Sequence, residues 1–295
     1  MGYGSYSAAD WSKLKSSRQL SNTNSVSEVF QRRSCDPKFD PRYIGTRECF
    51  DSDDHPNSTP IVVGLDVTGS MGYLAVQVAT EALNELIMKL YSTNSIEDPA
   101  LMCAAYGDYH DASPLQVTQF ESDIRIAEQL LELYFENRGQ GEVVPTCLWH
   151  FLANRTNIDA IKKRKQKGFV FTIGDGATIR HNPSPSVTIH EVTGDESRAT
   201  SPEDVLKEVE KKFHAFHIMI DGDDDYNRRL MNGHSMTIQK TDIDLIPQII
   251  ISTIQLQNGV KRETILEQWD VLERPRLENI LGQLQIRTPK RGFFL

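Results

Sequence analysis

Three oxygen-bearing side chains at alternate positions follow a short apolar run near residue 60. The run 61–65 has the β-branched composition of a buried strand, and Asp66, Thr68 and Ser70 come directly after it. A helical pattern of apolar residues begins at Met71, so the three oxygens lie where a strand turns into a helix. One carboxylate and two hydroxyls form a hard-oxygen donor set. Such a set suits Mg²⁺, Mn²⁺ or Ca²⁺ rather than a soft metal.

A second carboxylate follows another predicted strand. Residues 168–174 form an apolar run that ends at Asp175, which stands between two glycines. In a doubly wound sheet, ligands bind at the carboxyl ends of the strands where the strand order reverses, so we expect Asp66 and Asp175 to face one crevice. Two carboxylates about 5 Å apart repel by about 3 kcal/mol at an effective dielectric of 20, and a bound cation removes that cost. The alternative is that both acids only cap loops or helices.

The stretch from Asp66 to Ser70 resembles the DxSxS motif of the von Willebrand factor type A (vWA) domain, with Thr68 in place of the middle serine. Asp175 resembles the second aspartate of that family. The resemblance covers about residues 59–257 and is strongest to stand-alone vWA proteins of bacteria and phages. It implies a metal-ion-dependent adhesion site. In such a site the hydroxyls bind the metal directly, the aspartates act largely through water, and one coordination position is left for a ligand's carboxylate.

The family also has a threonine ligand in a loop between these two motifs. Residues 137–146 form a Gly-rich loop, and the resemblance makes Thr146 the candidate for this ligand. Glu142 is the rival, because Glu142 and Val143 stand where the family commonly has small polar residues. Thr146 could equally be only the N-cap of the following helix, next to Pro145.

Two other acidic positions are expected near the same edge of the sheet. Asp108 follows a predicted strand, and we expect it to stabilise a turn, with an outer-shell metal contact as the alternative. The acidic turn 221–225 follows the predicted strand 215–220 and would add negative potential to the edge.

These elements predict an α/β fold with a doubly wound, mostly parallel six-stranded sheet and helices on both faces. Residues 1–58 lack periodicity and are predicted to be an extended or partly disordered arm that the core fold does not need, although its aromatic residues could dock on the domain. Residues 59–257 form the predicted vWA-like domain, and 258–295 a tail with short helices. We also expect a helix from the Gly-rich loop through about Ile161 and an irregular insertion with a strand at 187–192.

Composition restricts the functional class. A hydrophobic content of 39% and a charged content of 25% are those of a soluble globular protein, and the net charge of −9 argues against a general nucleic-acid binder. Cys35, Cys49, Cys103 and Cys147 are scattered without a CxxC pair, which favours a reducing compartment, the cytoplasm. The amino terminus lacks the apolar core of a signal peptide, and no apolar run approaches the ~20 residues of a membrane span.

The pattern therefore favours a non-enzymatic binding module that captures an Asp or Glu of a protein partner through bound Mg²⁺, with neither nucleic acid nor membrane as partner. One alternative is a phosphohydrolase, because strands ending in DxT and GDG also resemble haloacid-dehalogenase-like phosphatases, with Asp66 as nucleophile. That chemistry generally needs an acid two residues after the nucleophile, where this chain has Thr68. A third interpretation is a structural component of a larger assembly such as a virus particle.

Overall fold

The sheet predicted around the motif strand is present. The computed structural model describes residues 5–136, 143–175, 184–222 and 225–286. Its strands are β1 (Arg47–Cys49), β2 (Thr59–Asp66), β3 (Pro99–Tyr106), β4 (Leu115–Val117), β5 (Thr156–Ile158), β6 (Gly168–Gly174), β7 (Phe213–Ile220) and β8 (Ser235–Ile238). β1 and β5 pair in a small parallel sheet, and the other six strands form the main sheet.

Helices cover both faces of the main sheet. They are α1 (Ala8–Ser17), α2 (Val26–Val29), α3 (Gly72–Gln77), α4 (Leu83–Ser92), α5 (Arg125–Leu131), α6 (Pro145–Asn154), α7 (Asp159–Arg164), α8 (Pro185–Thr193), α9 (Pro202–Val209), α10 (Asp225–Leu230), α11 (Ile246–Gln257), α12 (Arg262–Glu267) and α13 (Arg274–Leu281). A π-helical turn, Val78–Ala82, joins α3 to α4, so the helix predicted after the motif is one helical segment. Short 3-10 turns occur at Gly69–Met71 and Lys240–Leu245.

The strand order confirms the predicted doubly wound, mostly parallel six-stranded sheet. The order is β4-β3-β2-β6-β7-β8, with β4 antiparallel to β3 and every other neighbouring pair parallel. The order reverses between β2 and β6, which are neighbours with Leu65 opposite Ile173. The residues that follow these two strands therefore meet at one edge of the sheet, where such folds open a crevice.

The motif strand is buried on both faces. Ile61, Val63 and Leu65 belong to one hydrophobic core, which includes residues of α4 and α11, and Val62 belongs to a second core, which includes residues of α6 and α9. Every residue of β2 is buried, as expected for a parallel strand with helices on both sides. This double burial is why the strand appears in the sequence as a continuous apolar run.

The amino-terminal segment differs from the expected extended arm. Residues 5–58 contain α1, α2 and β1, and the side chains of Trp11, Phe30 and Phe39 are buried in the core that includes the motif strand. The backbone N–H of Val117 in β4 donates to the carbonyl of Phe39, so the segment also covers one edge of the main sheet. The aromatic residues of this segment dock on the domain, as the sequence allowed, and aliphatic residues such as Leu14 are buried in the same core.

Two further segments differ from the expectation. The predicted strand at 187–192 lies in helix α8, which begins at Pro185, a residue well suited to the first turn of a helix. The helix expected to run through Ile161 ends at Asn154, and β5 and α7 follow it. β5 forms because it pairs with β1 from the amino-terminal segment, a partner that no local pattern reveals.

The carboxyl-terminal tail packs on the domain. The indole N–H of Trp269, between α12 and α13, donates to Ser252 Oγ of α11 at 2.8 Å. The side-chain amide of Gln283 binds both backbone groups of Thr237 in β8, accepting from its N–H at 2.8 Å and donating to its carbonyl at 2.9 Å. The tail therefore covers the second edge of the main sheet. The terminal residues 287–295 lie outside the described ranges.

The helices are short. Within the described ranges, no helix has both the length and the apolar character needed to cross a membrane.

Candidate metal-binding site

The site begins at the carboxyl ends of β2 and β6. Asp66 is the last residue of β2, Ser70 lies in the 3-10 turn that follows it, and Asp175 comes directly after β6. Because β2 and β6 are hydrogen-bonded neighbours, their ends bring Asp66, Thr68, Ser70 and Asp175 to one edge of the sheet. The sequence spacing alone could place the first three together, and the strand pairing adds the fourth.

Two hydroxyl–carboxylate pairs connect these residues. The backbone N–H and the hydroxyl of Thr68 donate to Asp66 Oδ1, at 2.9 Å and 2.6 Å. Ser70 Oγ donates to Asp175 Oδ1 at 3.0 Å, across 105 residues of sequence. In each pair the hydroxyl hydrogen goes to a carboxylate, so the lone pairs of the hydroxyl oxygen can face another electropositive group. This donor arrangement suits a hard cation.

Burial changes steadily across the site. Asp66 is fully buried and Thr68 is 6% exposed, whereas Asp175 is half-buried and Ser70 is exposed. A buried carboxylate costs free energy unless hydrogen bonds or a positive charge compensate it. The site therefore has a buried acidic floor at Asp66 and opens to solvent between Ser70 and Asp175, where an ion could enter.

The backbone of β6 approaches the buried carboxylate closely. A Cβ atom on Gly174 would lie 2.6 Å from Asp66 Cβ and 3.1 Å from Tyr106 Oη, which is shorter than ordinary contact, so only glycine fits here. Tyr106 Oη donates to the carbonyl of Ile173 at 3.0 Å. Burial raises the pKa of Tyr106 well above its ordinary value, and the charges of Asp66 and Asp175 raise it further. Tyr106 is therefore a neutral hydroxyl behind the two carboxylates.

The loop candidate Thr146 is the second residue of α6 and is fully buried. The start of α6 is held at the carboxyl end of β3, because the N–H of Val144 donates to the carbonyl of Gly107 at 3.2 Å. The interpretation of Thr146 as the N-cap is wrong, since Val144 occupies that position. The rival Glu142 lies outside the described residues.

Tyr73 and Lys240 also lie at this edge, and neither was expected from the sequence. Lys240 Nζ is 3.7 Å from the centroid of the Tyr73 ring, and the backbone N–H of Lys240 donates to Asp221 Oδ1 at 2.9 Å. Burial raises the pKa of Tyr73 to about 12, with Asp175 and Asp221 adding to the rise. Asp221 thus shares the edge, as predicted for the acidic turn. No motif could have identified Lys240, because it is distant in sequence from every other member of the site.

The other acid near this edge, Asp108, stabilises a turn, as expected. Its Oδ1 accepts the N–H of His110 at 2.9 Å, and its backbone forms a bridge with Val143. In the part of the chain that the structure describes, no three or more His, Cys, Asp or Glu side chains form a group that could hold a metal ion. A cation at this edge would therefore depend on the hydroxyls as well as on the two carboxylates.

No protein-family model matches the chain, and no curated protein is similar to it in sequence. Among solved structures, the chain is similar to the pilus adhesin SpaC from Lactobacillus rhamnosus GG in its open conformation, with 12% identity and a TM-score of 0.47 over 68% of this chain and 30% of SpaC. A second SpaC crystal structure matches at 11% identity and a TM-score of 0.47, over 70% of this chain and 31% of that one.

The chain is also similar to the vWF domain of the type V pili tip protein Mfa5 from Porphyromonas gingivalis. That match has 10% identity and a TM-score of 0.39 and covers 74% of this chain and 98% of that domain. The chain thus spans about a third of SpaC and nearly the whole Mfa5 domain.

Proposed function

We propose that this protein is a non-enzymatic, vWA-like binding module that captures an acidic side chain of a protein partner through a bound divalent cation. Asp66, Thr68, Ser70 and Asp175 would hold the ion, which is Mg²⁺ or, with the same donors, Mn²⁺ or Ca²⁺. Thr146 is the candidate for a further ligand. The observation that carries this proposal is the convergence of two hydroxyl–carboxylate pairs at the point where the strand order reverses.

The chemistry of the donors supports a hard cation. The charges of Asp66 and Asp175 both raise the pKa of the buried Tyr106 hydroxyl, so the two carboxylates lie close to the same group. A divalent ion at this edge would compensate both charges and use the hydroxyl lone pairs of Thr68 and Ser70. When bound, the ion supplies a Lewis-acidic coordination position for a carboxylate oxygen of the partner.

Two features favour binding over hydrolysis at this site. Thr68 stands where a haloacid-dehalogenase-like phosphatase needs a general acid. A threonine hydroxyl cannot act as a general acid near neutral pH. The Oδ1 atom of Asp66 already accepts two hydrogen bonds from Thr68, which reduces the nucleophilicity of that oxygen. The protein is therefore proposed to bind its partner without turnover.

The proposed partner is a protein rather than a nucleic acid or a membrane, in keeping with the net charge of −9. The proposed compartment is reducing, as in the cytoplasm. All four cysteines are free thiols, and burial raises the pKa of Cys49, Cys103 and Cys147, so these three are poorly reactive.

Titration with Mn²⁺, followed by water-proton relaxation, tests the metal site. The parent protein should bind one Mn²⁺, and Mg²⁺ should compete for it. At a metal concentration equal to the dissociation constant, binding adds only about 0.4 kcal/mol of stability, so thermal melting is a poor assay. Asp66→Ala and Ser70→Ala should weaken binding by about tenfold or more. Asp54→Ala, which removes an exposed acid five residues before β2 begins, should not. If Asp66→Ala bound Mn²⁺ as tightly as the parent protein, the assignment of the metal site would be wrong.

Two further measurements separate capture from catalysis. Acetate, a minimal carboxylate, should displace a water from the Mn²⁺-loaded protein and lower the relaxation enhancement. Phosphate release from an aryl phosphate in Mg²⁺ should stay at background for the parent protein and for Asp66→Asn. Mg²⁺-dependent release that Asp66→Asn abolishes would replace the binding proposal with the hydrolase.

A further inference from the structure

We propose that Lys240 is a second cation of the carboxylate-capturing edge, which weakens the binding of the metal ion and strengthens the binding of the partner's carboxylate. This inference rests on the proposed function of the same site. It concerns a residue that belongs to no motif. Lys240 begins the 3-10 turn that follows β8, and the fold brings this turn to the site.

Two contacts locate Lys240, one made by its ammonium group and one by its backbone. Lys240 Nζ lies 3.7 Å from the centroid of the Tyr73 ring, and Tyr73 is the second residue of α3, the helix that follows Ser70. The backbone N–H of Lys240 donates to Asp221 Oδ1, which anchors the start of the 3-10 turn that carries the lysine. The side chain therefore packs against the start of the helix that follows Ser70, on the side where the site is exposed, and it is itself exposed to solvent.

Two acidic groups act on the same tyrosine. Asp175 and Asp221 both raise the pKa of the Tyr73 hydroxyl, so both carboxylates lie within electrostatic reach of it. The ammonium of Lys240 packs on the face of this ring, an attractive contact between a cation and the ring's electrons. Asp175, Tyr73, Lys240 and Asp221 thus form one cluster at the rim of the metal site.

One positive charge at this rim acts with opposite sign on the two expected ligands. It repels a divalent cation that approaches Asp66 and Asp175, and it attracts a carboxylate that approaches the bound ion. Because Lys240 is exposed, water and salt screen both effects. We expect each effect to be about two- to fivefold at low ionic strength, the range for exposed charges.

The opposite signs make the inference testable. Lys240→Met keeps an unbranched apolar side chain on the Tyr73 ring but removes the charge. It should bind Mn²⁺ about two- to fivefold more tightly than the parent protein and bind acetate, at saturating Mn²⁺, about two- to fivefold more weakly. Both constants come from water-proton relaxation. A variant that merely distorted the site would bind both ligands more weakly, so a structural effect cannot imitate this result.

Three controls complete the experiment. Lys240→Arg keeps the charge and should behave as the parent. Lys89→Met removes another lysine that lies over an aromatic ring, 4.8 Å from the centroid of Trp269, in the last turn of α4 and far from the site, and should also behave as the parent. Both shifts in Lys240→Met should shrink at high ionic strength.

The outcomes separate this inference from the proposed function. If the parent protein binds no Mn²⁺, both are overturned. If the parent binds Mn²⁺ and acetate but Lys240→Met has the parental constants, or shifts both in the same direction, the proposed function stands and the inference about Lys240 fails.

Discussion

Replacing Gly174 by alanine tests whether the close approach of β6 to Asp66 shapes the site. The new Cβ would lie 2.6 Å from Asp66 Cβ, whereas ordinary contact begins at 3.4 Å, so the atoms must separate by at least 3.4 − 2.6 = 0.8 Å. Asp66 Cβ is attached to the backbone of β2, and its carboxylate is held by Thr68, so no flexible side-chain end can absorb the shift. Overpacking of this kind costs about 1–3 kcal/mol.

The expected result is a lower melting temperature together with weaker Mn²⁺ binding. In a domain of this size each kcal/mol lowers the melting temperature by about 2–4 °C, so Gly174→Ala should melt about 2–12 °C below the parent protein. Gly45→Ala is the matched control, because nothing lies within 4 Å of the Cβ it would add. It also reports the gain of about 0.4–1 kcal/mol that loss of glycine freedom in the unfolded chain can bring. If Gly174→Ala melted no lower than Gly45→Ala and bound Mn²⁺ as tightly as the parent protein, the close approach of β6 to Asp66 would not shape the site.

Two other predictions follow from the packing. A chain that begins at Asn57 should lose its cooperative unfolding transition, because the three buried aromatic side chains of the amino-terminal segment each contribute about 1.5–3 kcal/mol; parental melting of this chain would instead support the sequence-based prediction that the segment is dispensable. Burial, with the charges of Lys167 and His234, lowers the pKa of His214 to about 4. The imidazole of His214 takes up a proton below about pH 6.5 in the unfolded chain but only near pH 4 in the folded chain. The stability present above pH 6.5 is therefore lost as the pH falls towards 4. Urea unfolding at pH 7 and pH 4.5 measures how much of the free energy of unfolding is lost between these pH values. His214→Phe should lose about 1–2 kcal/mol less than the parent protein, after allowance for the partial exposure of His214. An equal loss in the two proteins would contradict the assignment.

Much of the central fold was predictable because its signals are local. β2 and β6 are apolar runs, and each is followed in the sequence by glycine and oxygen-bearing residues. Helices cover both faces of these strands, so their buried residues are consecutive in the sequence. The amino-terminal segment was predictable only in part, because aromatic residues such as Trp11 and Phe30 indicated docking but no local pattern indicated where they dock. A strand such as β5 exists only because β1 lies beside it.

The candidate site also contains some residues that the local sequence placed and others that only the tertiary structure placed. The spacing of Asp66, Thr68 and Ser70 after a strand is a local property, so the sequence by itself determined that these oxygens stand at the end of β2. The tertiary structure decided that Asp175 accepts a hydrogen bond from Ser70, because that contact needs β2 and β6 to be neighbours. It also decided that Lys240 lies at the rim, because the residues after β8 fold back towards α3. Contacts of this second kind depend on the pairing of distant elements, which no short stretch of sequence encodes.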